Sequence, residues 1–167
     1  MICFVYYITN ASAEETLIFR QTLPTLFSAG MLTLNKNDPS NANFAILDEM
    51  EDFRGSDGKF HFKLKWPGDT TEYEWKQTSN PATETISGYE GINIPYTGQY
   101  WGGLERSNEV GNYALIDGSV GNPNWFYAIG SFEIWHDGIP AYAKTDGDYE
   151  YAKQSVELYV IAGVILI

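Results

Sequence analysis

Apolar and polar residues alternate along residues 60–66, FHFKLKW. Successive side chains of a strand point to opposite faces, so the four large apolar residues share one face and the three polar residues share the other. This pattern is typical of a half-buried antiparallel strand. Comparable strand-sized runs occupy residues 16–21, 72–77, 89–94, 113–116, 125–129, 132–135 and 156–165.

Acid-glycine and proline-glycine pairs separate many of these runs, and such pairs favour tight turns. They are Asp57-Gly58, Pro67-Gly68, Asp117-Gly118, Asp137-Gly138 and Asp146-Gly147. Short strands at regular spacing with glycine-rich turns predict an all-β protein. We expect an antiparallel β-sandwich of jelly-roll-like form.

Residues 43–53 depart from the alternation, because the apolar residues Phe44, Leu47, Met50 and Phe53 recur every three positions. This spacing predicts one short helix that covers an end or side of the sandwich. Four carboxylates lie between the apolar positions. A solvated helix face is favoured over a metal site for them, since calcium ligands normally come from loops that wrap the ion.

The two ends of the chain carry apolar runs. Residues 1–13 contain no charge and end in Ala11-Ser12-Ala13, a pattern that predicts a secretory signal, with a first β-strand as the alternative. Residues 14–167 would then form a single β-sandwich domain. The last ten residues, 158–167, have about half the length needed to span a bilayer, which favours a buried final strand over the alternative of a truncated membrane anchor.

Composition and charge narrow the range of partners. The 167 residues contain 22 acidic and 10 basic side chains, a net charge of −12. Nucleic acid is excluded as a partner because phosphate binding depends on lysine and arginine, and anionic membranes are disfavoured for the same reason. A single cysteine, Cys3, allows no intramolecular disulfide and no thiolate zinc cage.

The sequence contains no recognisable catalytic motif. Its two histidines, His61 and His136, belong to no Ser/His/Asp arrangement, and no nucleophile elbow, zinc-protease helix or phosphate loop is present. We therefore predict a protein that is not an enzyme. A hydrolase with two facing carboxylates is a remote alternative. No cofactor is expected, although the acid-glycine turns leave calcium as an alternative to plain β-turns.

Aromatic, amide and acidic residues concentrate in three predicted loop regions, 96–106, 117–127 and 132–142. This mixture suits sugar binding, because the C–H face of a pyranose stacks on an aromatic ring while amides and carboxylates bind the hydroxyls. For any single ring, burial in the core is the more frequent outcome in all-β proteins. The candidate ligand-binding residues are Trp101, Glu105, Arg106, Asp117, Asn122, Asn124, Trp125, Trp135, His136 and Asp137.

A series of segments carries a resemblance to a known family: LIFRQT at 17–22, FAILD at 44–48, FR at 53–54, DGKF at 57–60, WKQTSNP at 75–81, WGGLE at 101–105, LIDG at 115–118, NWFYAIG at 124–130 and VELYV at 156–160. Taken together, they resemble an uncharacterised lectin-like domain family of secreted, multi-domain proteins from marine invertebrates and algae. The resemblance implies a secreted, lectin-like domain and no particular reaction. Residues 156–159 also resemble the last strand of discoidin-type jelly rolls.

These observations favour a secreted or cell-surface module for carbohydrate binding or adhesion, with a glycan or glycoprotein as its partner. The strongly negative charge favours neutral or cationic partners. The alternative is a structural subunit of an extracellular fibre, cell-wall layer or virion surface. Such a subunit would form a homo-oligomer or larger assembly through its terminal strands.

Overall fold

The fold was analysed in a computed structural model. It describes residues 14–28, 30–98, 101–106, 114–121, 128–132, 137–145, 148–150 and 152–162. Within these ranges the chain forms one short helix, Leu47–Phe53, and ten strands. The strands are β1 (Glu14–Thr22), β2 (Phe44–Ala45), β3 (Phe60–Lys65), β4 (Glu72–Gln77), β5 (Glu90–Asn93), β6 (Trp101–Arg106), β7 (Ile116–Ser119), β8 (Ala143–Thr145), β9 (Asp148–Tyr149) and β10 (Ser155–Ala162).

Six strands form one antiparallel sheet in the order β2-β1-β10-β3-β4-β5. The alternation of residues 60–66 predicts its faces correctly, since Phe60, Phe62, Leu64 and Trp66 are all buried. Tyr73 and Trp75 extend this apolar face onto the neighbouring strand. The sheet therefore presents one continuous aromatic face to the interior.

Two smaller antiparallel pairs, β6-β7 and β8-β9, complete the strand arrangement within the described ranges. The core unites residues of the large sheet with Trp101 and Leu104 of β6, Ile116 of β7 and Tyr142 next to β8. All sheets are antiparallel, and the arrangement is consistent with the predicted all-β sandwich.

The predicted helix is present, but it is a 3₁₀ helix that begins at Leu47 instead of Asn43. Phe44 and Ala45 pair with β1, and the Ile46 N–H continues this contact by donating to the Ile18 carbonyl at 3.0 Å. A 3₁₀ helix has three residues per turn, which matches the three-residue spacing of the apolar positions. Two residues of this helix, Leu47 and Met50, are buried.

Several predicted strands require correction. Of the described residues 114–116 in the strand predicted at 113–116, only Ile116 belongs to β7. Asp117-Gly118 lies inside that strand instead of forming a turn. Residues 101–106, predicted as a loop, form β6. By contrast, Gly58 and Gly68 take positive φ values in the predicted turns. Most of 125–129 and 132–135, and the turn at Asp146-Gly147, lie outside the described residues.

The described part of the final apolar segment, which ends at Ala162, lies in the middle of the large sheet. From Glu157 to Val160, β10 pairs with β1 on one side and with β3 on the other. Strand addition by a second chain therefore has no free edge along this stretch. The first 13 residues and the last five, 163–167, lie outside the described residues. Among the helices that the structure describes, none is long and apolar enough to cross a membrane.

Candidate functional site

A groove opens where β1 ends and the chain turns away from the large sheet. It has a volume of about 450 Å³, which lies within the range of small-molecule sites in proteins. We call it the rim groove. The described residues that line it are Leu23, Pro24, Leu26, Phe132, Asp137 and Gln154.

The first wall of the rim groove follows directly from the end of β1. The Leu23 N–H donates to the Gln154 carbonyl at 3.0 Å, which ties this wall to the residue just before β10. The Thr25 N–H donates to the Thr22 carbonyl at 3.3 Å and closes a turn. The turn leaves the side chain of Leu26 54% exposed at the groove.

A buried glutamine joins this wall to the opposite one. Gln21 is fully buried at the end of β1. Its Nε2 donates to the Thr25 carbonyl at 2.9 Å and to the Ser131 carbonyl at 3.0 Å, while its Oε1 accepts from the Gly130 N–H at 2.9 Å. Because one amide satisfies backbone groups on both walls, it fixes the spacing between Leu26 and Phe132.

Close backbone packing beneath the groove requires a glycine. Gly130 has a φ of +76°, and a Cβ atom there would lie 2.4 Å from the Leu115 Cβ and 3.2 Å from the Phe27 Cβ. The Phe27 N–H donates to the Gly130 carbonyl at 3.2 Å, and the Phe27 ring packs on Phe19 with 4.7 Å between centroids. The residues just after Leu26 and just before Phe132 are therefore anchored in the hydrophobic core.

Asp137 contributes the one titratable side chain among the described lining residues. It is exposed and has a φ of +59°, a left-handed conformation that aspartate tolerates better than most residues. The next residue, Gly138, packs so closely against Ala152 that a Cβ atom added to the glycine would lie 2.5 Å from the Ala152 Cβ. Ile139 then pairs with Lys153 through hydrogen bonds of 2.7 and 2.9 Å, which anchors the aspartate.

A charged cluster lies next to Gln154 in the sequence. Asp69 Oδ2 accepts hydrogen bonds from Lys153 Nζ at 2.8 Å and from the Tyr142 hydroxyl. Burial works to raise the pKa of Asp69, but these two donors outweigh it and hold the pKa well below its ordinary value. Burial and the Asp69 carboxylate raise the pKa of Tyr142. The cluster ties the hairpin between β3 and β4 to Tyr142 and Lys153.

On the outer face of the large sheet, ionisable side chains pair with one another. Lys63 Nζ lies 2.8 Å from Glu15 Oε1, and His61 Nε2 lies 2.8 Å from Glu74 Oε1. Hydrogen bonds from Lys63 and Lys65 lower the pKa of Glu15. These side chains are partly buried and are paired within the sheet.

The described lining of the rim groove combines polar and apolar groups. A carboxylate and an amide lie beside an aromatic ring and three aliphatic side chains. Hydrolysis of a glycosidic bond uses two facing carboxyl groups, and the described lining supplies one. Across the described ranges, no group of three or more His, Cys, Asp or Glu side chains is arranged to hold a metal ion.

Of the predicted site residues, Asp137 lies in the rim groove. Trp101 does not reach a ligand surface, because its side chain is only 5% exposed. Its ring packs edge-on against Trp75 at 5.1 Å and against Tyr73 at 4.9 Å between centroids. The prediction that Trp101 stacks on a sugar is therefore corrected: the aromatic face of β4 takes it into the core.

Three more predicted residues belong to the β6-β7 pair. The Glu105 carboxylate accepts a hydrogen bond from the Ile86 N–H at 2.9 Å, and the Arg106 N–H donates to the Glu84 carbonyl at 2.8 Å. Asp117 is buried in β7, where its Oδ1 accepts from the Ser119 N–H at 2.8 Å. Asp117 was predicted to lie in a binding loop, and it lies in strand β7 instead.

The remaining predicted residues, Asn122, Asn124, Trp125, Trp135 and His136, lie outside the described residues. The sequence reasoning missed Leu23, Pro24, Leu26 and Gln154. Its one available signal was the run LPTL at 23–26, where apolar residues continue beyond the predicted end of a strand. Phe132 fell within a predicted aromatic region but was not selected as a site residue.

Comparison of the chain with protein-family models, with curated protein sequences and with solved structures yields no match. The resemblance to a secreted lectin-like family stays a prediction.

Proposed function

We propose that the protein is an extracellular carbohydrate-binding module that holds a saccharide in the rim groove and catalyses no reaction. The observation that carries this proposal is the lining of the groove, where Phe132 and aliphatic side chains lie beside Asp137 and Gln154. Saccharides combine apolar C–H faces with hydroxyls, so they need both kinds of contact. A purely apolar ligand would leave the carboxylate and the amide unused.

The size and charge of the site support the same class of ligand. A volume of about 450 Å³ suits one or two sugar rings. The net charge of −12, with Asp137 at the groove, disfavours sulfated and carboxylated glycans. We therefore expect the ligand to be a neutral saccharide on a glycan or glycoprotein.

A glycan-array screen of the full chain, with and without calcium, tests the proposal. For a glycan that binds, Phe132→Ala removes the stacking surface and should weaken binding about tenfold, which is about 1.4 kcal/mol. Asp137→Asn keeps a residue type that tolerates positive φ and should weaken binding by a similar factor through loss of the charged acceptor.

Asp52→Asn is the matched control, since it removes the same charge from the exposed side of the short helix. It should leave binding unchanged. A blank array, or binding that both groove variants leave intact, would contradict the proposal.

A second candidate, the structural subunit, draws support from the edge of the large sheet. All four residues of β5 are exposed, and the Ile92 side chain is 52% exposed. An exposed edge strand is a template for pairing with another chain. A bulge between Glu74 and Trp75 of the neighbouring strand interrupts the register of β5, which weakens this candidate.

The mass of the protein in solution as a function of concentration tests the second candidate. Assembly through β5 would give a defined oligomer that Ile92→Lys dissociates. A monomer at all concentrations would rule out assembly through β5.

A further inference from the structure

The apolar lining of the rim groove exceeds what a plain hexose requires. One ring, Phe132, provides a surface for the C–H face of a sugar. Leu23, Pro24 and Leu26 add an aliphatic surface beside it, and Leu26 is one of two large apolar residues that are mostly exposed within the described ranges. A hydroxyl group gains nothing from such a surface, whereas a methyl group does.

The two polar residues of the groove complement an amide. A carboxylate only accepts hydrogen bonds, so the Asp137 side chain suits an N–H group of the ligand. The Gln154 side chain carries an NH₂ group that can donate to a carbonyl oxygen. One donor, one acceptor and a methyl group are the three features of an acetamido substituent.

We propose, building on the carbohydrate-binding function, that the ligand of the rim groove is a neutral saccharide bearing an acetamido group. Its N–H donates to Asp137, its carbonyl accepts from Gln154, and its methyl group packs on Leu23 and Leu26. Its pyranose ring lies on Phe132. The net charge of −12 selects against N-acetylated sugars that also carry a carboxylate.

Matched sugar pairs test this assignment in the full chain by isothermal titration calorimetry. The pairs are N-acetylglucosamine with glucose and N-acetylgalactosamine with galactose, which differ only in an acetamido group replacing a hydroxyl. We expect the acetamido member to bind about tenfold more tightly in at least one pair. Equal affinity within both pairs, or preference for the hydroxyl member, would overturn the assignment.

Two variants locate the preference in the groove. Leu26→Ala should reduce the ratio of affinities within the preferred pair severalfold, while Ile92→Ala removes an equally exposed aliphatic side chain on β5 and should not change it. Asp137→Gly removes the acceptor at a position where glycine fits the positive φ, and should also reduce the ratio. Thermal unfolding establishes that each variant is folded.

The outcomes separate this inference from the proposed function. If glycans on the array bind through Phe132 and Asp137 but none requires an acetamido group, the inference fails and the carbohydrate-binding function stands. If neither the array nor the sugar pairs give binding that the groove variants weaken, both fail. A preference for acetamido sugars that Leu26→Ala leaves unchanged also overturns the assignment.

Discussion

Gln21 offers the sharpest test of how the rim groove is held open. Replacing it by methionine keeps the approximate size of the side chain and removes all three hydrogen bonds to the backbone. The Gly130 N–H and the Ser131 carbonyl would then be buried without a partner, and the Thr25 carbonyl would lose its partner in a less buried setting.

The cost follows from these contacts. A buried polar group without a partner costs about 1–3 kcal/mol, so the two fully buried groups together should cost about 2–6 kcal/mol. Domains of this size have free energies of unfolding of about 5–15 kcal/mol, so Gln21→Met should destabilise the protein strongly and still leave it folded. Urea denaturation measures the loss in the free energy of unfolding.

Gln77→Met is the matched control. Gln77 is also fully buried, and its amide binds Trp75, Ser79 and Leu104 on the far side of the core. Both variants should lose stability, but only Gln21→Met should accelerate hydrogen exchange at the Gly130 amide and weaken saccharide binding. A loss below about 1 kcal/mol in Gln21→Met, with unchanged exchange at Gly130, would refute the reasoning.

Two further predictions concern the surroundings of the groove. Asp69→Asn should lower the free energy of unfolding by about 1–2 kcal/mol at pH 7, because the charged acceptor is lost. Since the pKa of Asp69 is depressed in the folded state, its carboxylate contributes its full stabilisation only above its ordinary pKa of 3.8. The difference in the free energy of unfolding between the protein and the variant should shrink progressively as the pH falls below that value; a difference as large at pH 2.5 as at pH 7 would contradict this. Gly138→Ala should lower the free energy of unfolding by about 1–3 kcal/mol, because the new Cβ atom is forced against Ala152. Gly30→Ala should lower it by less than about 0.5 kcal/mol, because a Cβ atom there meets nothing within 4 Å. Equal thermal stability of the two variants would contradict this prediction.

The fold could be predicted from the sequence where apolar and polar side chains alternate strictly. Residues 60–66 and 72–77 alternate because one face of each strand packs on the core and the other meets water. β6 and β7 were misplaced because their burial does not alternate along the strand: all four residues of β7 are buried, and two adjacent glycines interrupt the pattern of β6. Asp117-Gly118 has the composition of a turn, yet pairing with β6 overrides that preference.

The candidate site could not be predicted as well from the sequence, because it depends on tertiary packing. Trp101 is a residue type that often stacks on sugars, but the aromatic rings that bury it, Tyr73 and Trp75, come from β4, which is distant in sequence. The rim groove joins residues 23–26 with residues 132, 137 and 154 through backbone hydrogen bonds and one buried glutamine. No local sequence pattern predicts that these residues lie close together.

The central claim is that the rim groove binds a saccharide, and a ¹H–¹⁵N chemical-shift titration of the full chain tests it most directly. With N-acetylglucosamine, N-acetylgalactosamine or the strongest glycan from the array, the account predicts saturable shifts for Leu23, Leu26, Phe132, Asp137 and Gln154, and none for β5. Saturable shifts confined to other parts of the chain, or no shifts with any of these sugars, would contradict it.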